Sequence, residues 1–225
     1  MAERLYLFDT TLRDGQQTSG VDFSLADKIR IANALDSLGL DYIEGGYPGA
    51  NPTDSQFFAE DRKLASAVMT AFGMTKRAGR SADNDPGFME VLNAQAGAVC
   101  LVAKSWDYHV DVALGISNDE NLASIRDSVS AVGQHGREAM IDCEHFFDGY
   151  KANRDYALAC ATAAFEAGAR WVVLCDTNGG TLPDEVFEIV SDVAQHIPGD
   201  HLGIHTHNDT ENAVANTLAA VQAGV

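Results

Sequence analysis

At 225 residues, with 46% hydrophobic and 21% charged residues, the chain is long enough for one substantial core and has the composition of an ordinary globular protein. Lys and Arg total 15 against 33 Asp and Glu, a formal charge of -18, which repels phosphate backbones and anionic membrane surfaces, so no nucleic-acid or membrane partner is expected. Cys100, Cys143, Cys160 and Cys175 lack any close pairing, no apolar run reaches membrane-spanning length and the start has no signal-peptide core, so a reduced, cytoplasmic protein is the expectation.

The first strand is predicted over the apolar residues Leu5 to Phe8, and it runs into the turn of LFDTTLRDGQQ, which carries Asp9, Arg13 and Asp14. Those charges need partners, and a metal or an anion would supply one. Ser24 to Leu38 has helical spacing, with Ser24 as N-cap and Gly39 at the C-terminal stop. Tyr42 and Ile43 open a second strand that runs into Glu44, Gly45 and Gly46, and a helix is expected from Ser55 to Ala65.

The third strand is Ala67 to Phe72, with a polar loop from Met74 to Asp85 and a helix from Phe88 to Ala96. The fourth strand, Ala98 to Ala103, precedes the loop KSWDYHV and an amphipathic helix from Asn118 to Gln134. Ala139 to Cys143 is the fifth strand, leading to Glu144, His145 and Asp148, and Arg154 to Ala167 is its helix. Trp171 to Cys175 ends in DTNGG and is followed by a helix from Leu182 to His196 with Pro183 in its first turn. The seventh strand, Leu202 to His205, ends in HTHND, and Glu211 to Ala223 is its helix.

Seven short, almost wholly apolar strands alternating with helices predict a parallel sheet with helices outside. Polar residues follow many of the strands instead of one switch point, which favours a TIM (β/α)8 barrel over an open doubly wound sheet. The expected architecture is one catalytic barrel domain over residues 1–225, of seven βα units, with the eighth missing from this chain.

In a barrel the C-terminal strand ends share one face, so distant residues converge there. His205 and His207 are two apart along a strand and point to the same side, and Asp14 supplies a carboxylate. Two imidazoles and one carboxylate suit a divalent ion such as Mg, Mn, Zn or Fe(II); a pair of structural histidines is the alternative. Arg13 beside that group is placed to stabilise an oxyanion or grip a carboxylate, or else forms a surface ion pair. Glu44 and Glu144 end strands two and five and suit acid-base or ligand-orienting roles, with structural hydrogen bonding as the alternative. Thr177 offers a hydroxyl to a substrate carboxylate or stabilises its own turn, and His109 ranks above His145 as a proton shuttle because alternation points Glu144 inward and His145 away.

With FDTTLRDGQQ, LCDTNGG and GIHTHND in order on the expected strands, the chain resembles the metal-dependent family of 2-isopropylmalate synthase, homocitrate synthase and HMG-CoA lyase. YIEGGYPGANPTD and IDCEHFFDGYKAN are most similar to its citramalate synthase branch. The resemblance implies Asp14, His205 and His207 as ligands of a divalent metal, Mg or Mn ahead of Zn. It further implies Arg13 at the enolate or keto oxygen, Glu44 completing the Asp-Arg-Glu set, Glu144 as the catalytic carboxylate, Thr177 at the keto acid's carboxylate and His109 in the substrate region. Its implied substrates are acetyl-CoA and an α-keto acid, pyruvate giving citramalate, in a homodimer. Within the family, full-length members add an eighth unit with a further asparagine ligand and C-terminal segments. The rivals are a synthase or lyase of other substrate in the same fold, a metal-binding fragment without turnover, and an Fe(II) oxygenase.

Overall fold

The computed structural model describes residues 4–225. Each apolar run forms a strand and each amphipathic stretch returns over it as a helix, giving β1 (Phe8–Asp9), α1 (Leu25–Ser37), β2 (Tyr42–Gly46), α2 (Pro52–Phe57), β3 (Val68–Met74), α3 (Pro86–Asn93) and β4 (Ala98–Lys104). Then come α4 (Asp107–His109), α5 (Asn118–Gln134), β5 (Glu138–Glu144), α6 (Phe146–Ala152), α7 (Arg154–Glu166), β6 (Trp171–Asp176), α8 (Pro183–Val193), β7 (Leu202–Thr206) and α9 (Ala213–Ala223).

The strands form one sheet in sequence order, every neighbouring pair parallel, with β1 and β7 at its edges. The sheet curls until those edges approach: His205 Nε2, on β7, lies 3.4 Å from Asp14 Oδ2, just past β1. At the opposite end of the strands, Trp171 Nε1 donates to the Tyr42 hydroxyl (3.2 Å), which donates to Glu138 (2.6 Å), joining β6, β2 and β5 through the interior. This is the predicted barrel of seven units without an eighth.

Two apolar layers hold the curl. Outside, α-helices cover the sheet through Ile43, Leu101, Ile141, Leu174, Val186 and Val190; inside, Tyr42, Ala98, Cys100 and Met140 pack against Phe8, Val68 and Trp171. Strand residues thus face either the helices or the barrel axis, which is why both faces are mostly apolar, with Glu44, Thr70, Asp142 and Asp176 the buried polar exceptions.

The first strand departs from expectation. β1 is only Phe8–Asp9, and Leu5 and Leu7 are 52% and 57% exposed instead of buried. An edge strand is paired on one side only, so residues 5–7 have no second neighbour to cover them. The second helix begins earlier and ends sooner than Ser55 to Ala65: the Asn51 side chain accepts the Asp54 N–H (2.8 Å) with Pro52 at the first position. Arg62 and the Gln95 N–H then take the carbonyls of Phe57 and Phe58, ending the helix. At the last helix, Asn208 accepts the Ala213 N–H (3.1 Å) and Glu211 is left-handed at φ 62°, so α9 starts two residues later than predicted.

The loop KSWDYHV folds into α4 and a π-type turn over Val110–Leu114, and α6 follows β5 directly. Both carry apolar residues that the sheet buries, Val110 in one and Phe146 and Phe147 in the other.

Candidate metal and active site

The first group of side chains lies where β1 and β7 meet. Asp14, His205 and His207 each direct one ligand atom to within 4.8 Å of the others. Spacing by two along an extended backbone does put both rings on one side, stacked 5.0 Å apart and 16° from parallel. His207 is held there by its own N–H bonding the Asp176 carbonyl (3.2 Å) and by Gly179, whose absent Cβ would lie 2.8 Å from the His207 carbonyl oxygen. At φ 61° this position also suits glycine on backbone grounds. DTNGG therefore shapes the wall on which HTHND rests.

The hydrogen bond from His205, with Arg13 and His207 adding to it, holds the Asp14 carboxyl below the usual carboxylate range against the opposing effect of burial. Burial disfavours charge on His205, yet Asp14, Asp142 and Glu44 outweigh it and raise its pKa. Asp14, Asp142 and Glu44 surround His205 with carboxylate groups whose negative charge a divalent cation can offset. Two histidines and a carboxylate, with one face open to a cavity of about 590 Å³ lined by Asp9, Thr11, Asp14 and His207, fit a metal ion.

Arg13 stands behind this group. Its Nε donates to Glu44 (2.6 Å), its Nη1 lies 3.3 Å from Asp14, Asp142 lies 4.0 Å from Nη2, and the guanidinium sits 3.9 Å above the Phe72 ring. The surface ion pair considered for Arg13 is ruled out by this burial among carboxylates. Burial pushes Glu44 up to about 7 despite the charge of Arg13, and Asp142 is raised for the same reason. One oxygen of each, Glu44 Oε1 and Asp142 Oδ1, is buried without a partner.

Glu144, Thr177 and His109 form a second group over β4, β5 and β6. The Glu144 carboxylate meets Lys104, its register neighbour on β4. Thr177 Oγ accepts the His145 N–H (2.8 Å), which leaves the hydroxyl hydrogen free to donate. His109 packs edge-on against His145 with centroids 4.7 Å apart, and burial, then His145 and Lys104, depress its pKa. Its Nδ1 is buried without a partner. His145 takes a left-handed backbone (φ 53°), so strand alternation ends at Glu144, and its Nδ1 lies 2.8 Å from Asp148, which also accepts from Asn178 (3.0 Å).

Sequence reasoning overlooked Asp142 and Lys104. The signal for Asp142 was present, since it precedes Glu144 by two residues on β5 and so shares its inward face. Lys104 was passed over as the first residue of a polar loop, although it ends β4.

The HMGL-like family model matches residues 4–225. The chain belongs to the HMGL-like family. Among curated relatives of this HMGL-like chain, the (R)-citramalate synthase of Aquifex aeolicus is 50% identical over 226 residues, covering 100% of the chain and 43% of that protein. That of Streptomyces coelicolor is 50% identical over 225 residues, covering 99% and 42%. The 2-isopropylmalate synthase of Pelotomaculum thermopropionicum is more distant, at 32% identity, covering 100% and 44%. The chain thus spans about two fifths of the length of the curated relatives it matches. Among solved structures, the hydroxymethylglutaryl-CoA lyase of Pseudomonas aeruginosa superposes with a TM-score of 0.81 at 23% identity, covering 99% of the chain and 74% of that structure. The HMG-CoA lyase of Brucella melitensis gives 0.82 at 19% identity, covering 100% and 79%. At such identities the likeness establishes the fold, whose (β/α) order agrees with the observed sheet.

Proposed function

We propose that this chain is the catalytic barrel domain of a metal-dependent acyltransferase that condenses acetyl-CoA with pyruvate to give citramalate and CoA. The observation that carries the reading is the convergence of Asp14, His205 and His207 beside a part-buried Arg13. Support for pyruvate comes from the drop in identity from 50% for proteins named citramalate synthase to 32% for one named 2-isopropylmalate synthase.

Asp14, His205 and His207 would hold a divalent ion, Mg or Mn ahead of Zn, which when bound supplies Lewis-acid polarisation of the ketone. The chain's own residues account for the rest. Arg13, fixed by Glu44, presents its remaining N–H groups where negative charge develops on the keto oxygen. Thr177, with one lone pair accepting the His145 N–H, donates its hydroxyl hydrogen to the keto acid's carboxylate. Glu144 takes a proton from the acetyl methyl, the resulting carbanion attacks the keto carbon, and the keto oxygen becomes a hydroxyl by taking up a proton. Water then cleaves the thioester, releasing the thiol of CoA and a carboxylate. His109, packed against His145 next to Glu144 in the chain, would pass protons onward. A cavity of about 410 Å³ above β3 and β4, lined by Lys76, Arg77 and Lys104 in a strongly acidic chain, suits the anionic thioester.

The experiment is thiol release from acetyl-CoA with Mg or Mn, comparing pyruvate, 2-oxoisovalerate and 2-oxoglutarate. Metal-dependent release selective for pyruvate is the expected result, and equal or better release with either larger keto acid would overturn the substrate. Release without any keto acid would remove the condensation altogether.

A further inference from the structure

Lys28, on α1, is wholly buried, and its ammonium has three acceptors for its three N–H groups: the Leu12 carbonyl (2.9 Å), the Gly45 carbonyl (3.0 Å) and the Asp54 carboxylate. Asp54 is fully engaged in turn, accepting the Tyr47 N–H (2.9 Å) and the Asn51 amide (3.0 Å) through its other oxygen. It sits so close to the chain that a Cβ on Gly46 would lie 2.5 Å from its carboxyl carbon. The two carbonyls have telling places in the chain. Leu12 immediately precedes Arg13 and Asp14, and Gly45 immediately follows Glu44.

An apolar residue of similar volume would cover β2 without the cost of desolvating an ammonium and a carboxylate. What only the ammonium can do is tie the turn after β1 to the end of β2. On the other side of that tie, Arg13 Nε meets Glu44 at 2.6 Å and Asp14 faces His205 at 3.4 Å. We propose that Lys28 is a positioning residue: its ammonium, anchored by Asp54, holds the Arg13–Asp14 turn against β2 so that Asp14 can complete the group with His205 and His207. The inference rests on the reading of that group as a metal site.

The test is Mn²⁺ affinity of the full chain, read from the free-ion electron paramagnetic resonance signal, beside thermal midpoints. Lys28→Met alone leaves Asp54 buried and unpaired, so the decisive variant is Lys28→Met with Asp54→Asn, in which both charges are removed together. Val193→Ala serves as a stability control, since Val193 is buried at the end of α8 that runs back to the opposite end of the strands. The double variant is expected to bind Mn²⁺ at least ~10-fold more weakly, the range in which outer supports of metal sites act, while the control loses thermal midpoint and keeps its affinity. Wild-type affinity in the double variant overturns the positioning role, as does a loss of affinity that the control reproduces at equal midpoint. No Mn²⁺ binding by the unmodified chain overturns the metal reading and the inference with it, a result visible before any variant is compared.

Discussion

Glu144 ends β5 with its carboxylate on Lys104, so its negative charge is steadied by a cation instead of by a metal. Held this way, the proposed base can be removed without touching the proposed metal group. Glu144→Gln is expected to lower the condensation rate by roughly 10²- to 10⁴-fold, the usual weight of a positioned acid-base group, with pyruvate and metal binding retained in calorimetric titrations. A rate near that of the unmodified chain would remove Glu144 from the chemistry. At this scale the sequence was most informative about groups that spacing alone brings together, His205 with His207, and least about groups that only the curl brings together. Lys28 under the turn is invisible to any local pattern because its partners lie on other elements, whereas Asp142 was within reach of strand alternation, two residues before Glu144.

Between elements, Asp36 near the end of α1 shows how a single carboxylate sets the entry into a strand. It accepts the N–H groups of Ala65 (2.7 Å), Ser66 (2.9 Å) and Ala67 (2.8 Å), and these bonds, Ala67 first, bring its pKa down to about 2. Because the folded value lies below the unfolded one, its stabilisation is present above about pH 4 and is lost as pH falls toward 2. Asp36→Asn is therefore expected to lower the thermal midpoint at pH 7 and to flatten its decline between pH 4 and 2. An unchanged acid limb would contradict the assignment. Helix periodicity located α1, α5 and α7 well, since Ser24 and Ser117 cap in the ordinary way and Gly39 and Gly136 follow with positive φ. The misplaced boundaries at α2 and α9 arise where a side chain from outside the helix takes its terminal groups, Arg62 in one case and Asn208 in the other. The segment from Trp106 to Leu114 read as loop because its helical turns are short and irregular.

For the molecule as a whole, the alternation of strand and helix was enough to predict a barrel, and the strand order matches it throughout. What alternation could not convey is the exposure of Leu5, Tyr6 and Leu7 along the first edge. An apolar edge strand offers unpaired backbone groups to another strand, and we propose that any self-association of this chain uses that edge. Leu7→Lys is expected to shift sedimentation of this chain toward the slower species at a given concentration, whereas an identical distribution would exclude that edge from self-association. No helix among the described residues is long and apolar enough to cross a membrane.

Asp14, His205 and His207, contributed by the two edges of one curled sheet, are proposed to form a single metal site. Pulsed electron paramagnetic resonance of the chain loaded with one equivalent of Mn²⁺ tests it most directly. Couplings from two imidazole nitrogens are expected, reduced to one in His207→Ala, with a ¹³C coupling on adding ¹³C-labelled pyruvate. Bound Mn²⁺ showing no imidazole coupling, or the same two couplings after His207→Ala, would contradict it.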